Sequence, residues 1–125
     1  MAKFERFEEI TAWRNARALA REVYSISNQR SFGRDYGLRD QIRRAAVSVG
    51  SNIAEGFERH RVREFYHFLS IAKGSAGEVR SQLYVALDQG YIDQSVFDHI
   101  YQLTTQTARQ ISALMSYLER YQKQS

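Results

Sequence analysis

Not one of the 125 residues is proline. Proline lacks the amide N–H and clashes with the preceding turn, so its absence leaves helices free to run uninterrupted. Apolar residues return at three- and four-residue spacing almost from end to end, the period of one helix face. These two facts leave little room for anything but long helices packed on one another.

The spacing predicts four of them. Phe7, Ile10, Trp13, Ala16, Ala20 and Val23 set a first helix over about residues 5–28, and Leu38, Ile42, Ala45, Val49 and Ile53 a second over about 36–57. Phe65, Leu69, Ala72, Ala76, Val79 and Leu83 set a third over about 61–88. Val96, Ile100, Leu103, Thr107, Ile111 and Leu118 set a fourth over about 93–122. Residues 29–35 break the pattern around Gly33 and read as a connector. Gly56 falls where a left-handed residue commonly ends a helix. Gly74 and Gly77 lie inside the third helix at a cost of about 1 kcal/mol each, which calls for close approach by another helix. Asp93 or Ser95 can cap the fourth helix, with Asp98 in capping-box register to Ser95. The expectation is an all-α, up-down antiparallel four-helix bundle, one domain over residues 1–125.

Composition removes several classes of function. The chain has no cysteine, which excludes disulfides, thiolate metal sites and a cysteine nucleophile. No apolar run approaches the roughly 20 residues that span a bilayer, and residues 1–6 lack the apolar core of a signal peptide. A cytoplasmic protein with no membrane partner is expected. The net charge of +4 comes mainly from arginine. Its planar fork bonds two phosphate or carboxylate oxygens at once.

Signs of an enzyme are few. Glu64-x-x-His67, with His60 on the same face, matches half of a di-iron bundle motif, and the second half is absent. Ser48 and Ser75 have no histidine at a helical offset and no nucleophile elbow. Neither a phosphate-binding loop nor a dinucleotide fingerprint occurs. Glu55 and Glu78 read as buried, hydrogen-bonded structural carboxylates. No catalytic residue, metal ligand or cofactor is expected.

Two polar patterns remain. Arg39, Arg43 and Arg44 lie on the second helix, and Arg59, Arg61 and Arg63 surround the start of the third. They either contact phosphates, giving salt-dependent binding of RNA or DNA, or stay solvated and paired with Glu55, Glu58 and Glu64. Gln41, Ser48, Asn52 and Glu55 form a polar stripe on the second helix, and Ser75, Glu78 and Gln82 one on the third. The stripes either hydrogen-bond within the bundle and fix its register, or face a neighbouring subunit. Tyr66, Tyr84, Tyr101 and Tyr117, expected on outer faces, favour self-association.

The run Leu38-x-x-Gln41-Ile42-Arg43-Arg44-Ala45-Ala46-Val47-Ser48-Val49-x-x-Asn52-Ile53-Ala54-Glu55-Gly56 resembles the signature of the small four helix bundle family, also called the 23S rRNA intervening-sequence protein family. Glu64-Phe65-x-x-Phe68-Leu69-x-Ile71-Ala72-x-Gly74-Ser75-x-x-Glu78 agrees with it, as do Phe7-x-x-Ile10-x-x-Trp13-x-x-Ala16 and the turn Gly90-Tyr91-Ile92. Ala76 departs from the leucine expected there. The resemblance implies a bacterial all-α bundle that assembles into a homopentamer with a central channel and basic surfaces, without enzymatic activity. The family is similar to the accessory variability proteins of diversity-generating retroelements, which bind nucleic acid and a reverse transcriptase. The leading expectation is therefore a non-enzymatic oligomeric module binding RNA or DNA through its arginines. The alternative is a structural or interaction module docking an acidic or reverse-transcriptase-like protein partner.

Overall fold

The computed structural model describes residues 4–124. A 3-10 turn, Phe7–Glu9, leads into α1 (Thr11–Ser27), α2 (Arg30–Arg34), α3 (Tyr36–Glu58), α4 (Val62–Asp88) and α5 (Gln94–Gln124). The four long helices are the four that the apolar period predicts, and no strand occurs among the described residues. No described helix is long and apolar enough to cross a membrane.

Cross-helix contacts fix the direction of each helix. Tyr24 meets Arg43 and Ala16 faces Gly50 across α1 and α3. Ser48 bonds Ser75 while Gly56 meets Phe68 across α3 and α4. Tyr84 packs on Tyr101 while Tyr66 bonds Glu119 across α4 and α5. In each pair one index rises as the other falls, so neighbours run antiparallel. The side chain of Asn15 donates to Gln110 Oε1 at 2.8 Å, joining α1 to α5 and closing the ring. Leu19, Val23, Ile42, Val49, Ile53, Leu69, Val79, Leu83, Ile111 and Leu118 fill the centre. Buried Thr104 and Thr107 return their hydroxyls to the carbonyls of Ile100 and Leu103, which satisfies them inside the helix.

Several local expectations are corrected. The expected start of the first helix is broken at Ile10, which is buried with extended backbone, while Glu9 Oε1 accepts from the N–H groups of Glu5 and Arg6. The connector at residues 29–35 contains the short helix α2, because Phe32 is buried and stacks on Tyr91 at 5.3 Å. Burial of one aromatic ring outweighs the weak helix propensity of that segment. Gly56 does not end a helix: α3 continues past it, and His60, at φ +58°, takes the left-handed position. A Cβ on Gly56 would lie 2.7 Å from Phe68 Cβ, so glycine serves close approach of α4 there.

The opposite holds at Gly74 and Gly77. A Cβ on Gly74 would meet nothing within 4 Å, and one on Gly77 only the end of Arg80 at 3.8 Å. Among the described residues no neighbouring helix comes within 4 Å of either position. Asp93 caps α5 by accepting from the Val96 N–H, whereas Asp98 accepts from the Gln94 side chain and the Ser95 box does not form. Of the four tyrosines expected outside, only Tyr84 is exposed; Tyr66, Tyr101 and Tyr117 are half-buried.

Candidate nucleic-acid interface

The polar stripes of α3 and α4 meet within the chain at Ser48 and Ser75. The Ser48 and Ser75 hydroxyls lie 2.8 Å apart, and Asn52 Nδ2 donates to both the carbonyl and the hydroxyl of Ser48. Gln41, Arg44, Ala45 and Glu78 join the two serines around an outer groove of about 380 Å³. Gln82 Oε1 is buried with no hydrogen-bond partner among the described residues. Glu55 and Glu78, expected to be buried, are both exposed, and Glu55 bonds Arg59 instead of entering this network.

The six arginines singled out in the sequence do not form one patch. Arg43 and Arg59 are separated by about 24 Å along α3 at 1.5 Å per residue. Around the α3–α4 turn, carboxylates claim most of the charge. Arg59 bonds Glu55 at 2.9 Å and Glu64 at 3.3 Å, and Arg61 pairs with Glu64 at 3.5 Å. The hydrogen bond to Glu55 is the main reason that the Arg59 pKa is raised above its ordinary value. Arg63 is exposed and carries no ion pair among the described residues. Glu64 thus serves arginines, His67 packs edge-on against Phe68, and His60 packs on Phe57. Among the described residues no three His, Asp or Glu side chains come together as a metal cluster requires.

The other end of α3 is differently built. Arg39 lies over the Tyr36 ring, bonds Asp40, and donates to the Gly33 carbonyl, so it holds the connector in place. Arg43 donates to the buried Ser27 hydroxyl at 2.8 Å and lies over the Tyr24 ring at 4.5 Å. Arg44 has neither ion pair nor hydrogen bond among the described residues. Arg43, Arg44, Tyr24, Val47, Asp40 and Glu55 line an open groove of about 570 Å³.

That groove continues along α1. Val47 and Ser51 also line an apolar trough of about 270 Å³ between α1 and α3, whose other walls include Trp13, Arg17, Ala20, Gly50 and Ala54. Arg17 and Arg21, one turn apart on α1, are exposed and unpaired among the described residues. They lie outside the expected set, although Arg14-x-x-Arg17-x-x-x-Arg21-x-x-Tyr24 marks one helical stripe. Arg14 differs from them, since it donates to the Glu8 carbonyl and the Thr11 hydroxyl. The α1–α3 face therefore combines three uncompensated guanidiniums, a fourth held on an aromatic ring, and an apolar trough. It can take up an anion-rich ligand that also has flat apolar parts.

The profile of a protein family described as "23S rRNA-intervening sequence protein" matches residues 8–113. Among curated proteins none matches the chain. The fold is similar to the crystal structure of a protein of unknown function from the S23 ribosomal protein family of Bacteroides thetaiotaomicron. The two superpose with a TM-score of 0.77 at 19% identity, over 84% of this chain and 98% of that one. At that identity the likeness speaks for the fold alone.

Proposed function

The chain belongs to the 23S rRNA-intervening sequence protein family, and from that premise we propose that it is a non-enzymatic helical-bundle module that binds RNA or DNA through its α1–α3 face. The observation that carries this reading is the division of the arginines. Near the α3–α4 turn Arg59 and Arg61 are paired with Glu55 and Glu64, whereas Arg17 and Arg44 have no carboxylate partner among the described residues and line adjoining grooves that share Val47 and Ser51. Unpaired guanidiniums at adjoining grooves favour phosphates, because each contact releases condensed counterions. Mobility shifts with structured RNA and with DNA at low and high salt test it. Absence of any complex at low salt rules the reading out.

Self-association is the second reading, favoured by the outer face of α4. Ile71 and Val85 are 40% and 45% exposed there, and between them Gly74 leaves the helix surface open. A second copy of this chain fits that face, and the homopentamer implied by the family resemblance is the assembly we propose. Light scattering tests it: a monomer mass at micromolar concentration excludes it.

A further inference from the structure

We infer that the apolar trough between α1 and α3 receives an unpaired base of a single-stranded RNA or DNA segment, held over Gly50 by the indole N–H of Trp13. The inference rests on the nucleic-acid reading and names the form of ligand that this face selects. Trp13 is half-buried, with Phe7 edge-on to it at 5.0 Å, and its N–H donates to no acceptor among the described residues. Indole nitrogen is a donor only, so it calls for an acceptor from outside. Gly50 keeps that edge of the ring reachable. A Cβ placed there would stand 3.6 Å from Trp13 Nε1 and 3.7 Å from Trp13 Cδ1.

Apart from Arg17 and the Ser51 hydroxyl, the remaining walls, Ala20, Val47 and Ala54 among them, offer nothing to a phosphate. A duplex presents phosphates outward and keeps its base faces stacked, so the trough adds nothing to its binding. An unpaired base brings an apolar ring and ring acceptors together, as single-strand recognition requires. Charge complementarity completes the fit: Arg17 stands on one lip, and Arg44 lines the adjoining groove beyond Val47, both placed for the flanking phosphates. An apolar peptide helix would cover the trough but leave these guanidiniums without anions.

Trp13 is the sole tryptophan, so its emission reports on the trough directly. The intact protein is titrated with labelled single-stranded RNA, single-stranded DNA and a duplex of the same sequence, following Trp13 emission and label anisotropy together. Both single strands should quench Trp13 and bind more tightly than the duplex. Gly50→Ala is the informative variant, because its methyl contacts Ala16 Cβ at 3.5 Å without a clash and circular dichroism should show an intact fold. It covers the indole N–H, and should abolish the quenching and weaken single-strand binding about tenfold while leaving the duplex unaffected. Trp13→Phe should weaken single-strand binding in the same direction. Equal affinity for single strand and duplex, or quenching indifferent to Gly50→Ala, overturns the base site while the phosphate reading stands. Displacement of the single strand by an acidic peptide with equal quenching also overturns it. No anisotropy change with any oligonucleotide removes the phosphate reading, and the base site falls with it.

Discussion

The Ser48 hydroxyl stands 2.8 Å from that of Ser75, and the same Ser48 oxygen lies 2.9 Å from Asn52 Nδ2. Ser48 is therefore the hub of a three-residue polar network tying α3 to α4. A hydrogen bond of this kind contributes about 1 kcal/mol, and a stranded partner adds a desolvation cost. Ser75→Ala should destabilise by about 1 kcal/mol and Ser48→Ala by about 2 kcal/mol. The double variant should lose less than the sum, because the two share one bond. Urea unfolding of the four proteins measures all three quantities.

Gly56 and Gly74 should respond in opposite directions to alanine. At Gly56 the new Cβ would fall 2.7 Å from Phe68 Cβ and 3.3 Å from the Phe65 carbonyl oxygen, neither of which yields freely. Overpacking of about 1–3 kcal/mol then exceeds the gain in helix propensity, and Gly56→Ala unfolds at lower temperature. At Gly74 the space is open, so alanine should stabilise the protomer by up to about 1 kcal/mol. If the outer α4 face packs against a second copy, the same methyl should lower the assembled mass in light scattering.

Tyr91 and Asp35 couple the bundle end to alkaline pH. The Tyr91 hydroxyl donates to Asp35 Oδ2 at 2.9 Å, and Asp35 Oδ1 caps α3 by accepting from the Leu38 N–H. The hydrogen bond to Asp35 is the main cause of a Tyr91 pKa raised above its ordinary value. A raised folded pKa means that the stabilisation is complete below the unfolded value, about pH 10, and is lost as pH rises through the folded one. Tyr91→Phe should thus be less stable than the parent below pH 10, with the difference closing above it. Asp35→Ala should lose about 1 kcal/mol or more, since the cap goes with the tyrosine bond. Thermal melts between pH 7 and about 11 show both effects.

Arginine substitutions should separate by location. Arg17→Ala and Arg44→Ala should each weaken nucleic-acid binding and reduce the slope of log K against log salt by about one. Arg59→Ala should leave that slope unchanged, because Glu55 and Glu64 already occupy its guanidinium. A slope that falls equally for all three would place the phosphate contacts elsewhere.

The long helices are legible in the sequence because a face of five or six positions, nearly all apolar, repeats its period several times. The five residues of α2 cannot display a period, and the burial of Phe32 is decided by Tyr91, far along the chain. Gly56 is a comparable case: a glycine near a helix end looks the same in sequence whether it turns the chain or admits Phe68. The polar stripes are legible as stripes, and their meeting at Ser48 and Ser75 needed the helix orientations. Least legible is which arginines remain available. That depends on the carboxylates that share their surface, and Glu64 satisfies two of the six that the sequence singles out.

The bond from Asn15 to Gln110 has a consequence for how the chain is made. The first long helix takes one of its neighbours from residues made 95 positions after its own. Until α5 emerges, the side of α1 that faces it stays wet and sticky, although α3 is already available on the other side. At about 5–20 residues per second, growing the 31 residues of α5 takes about two to six seconds. During that interval the nascent three-helix sheaf is open along one seam, and a neighbouring nascent chain could supply the missing helix in place of its own.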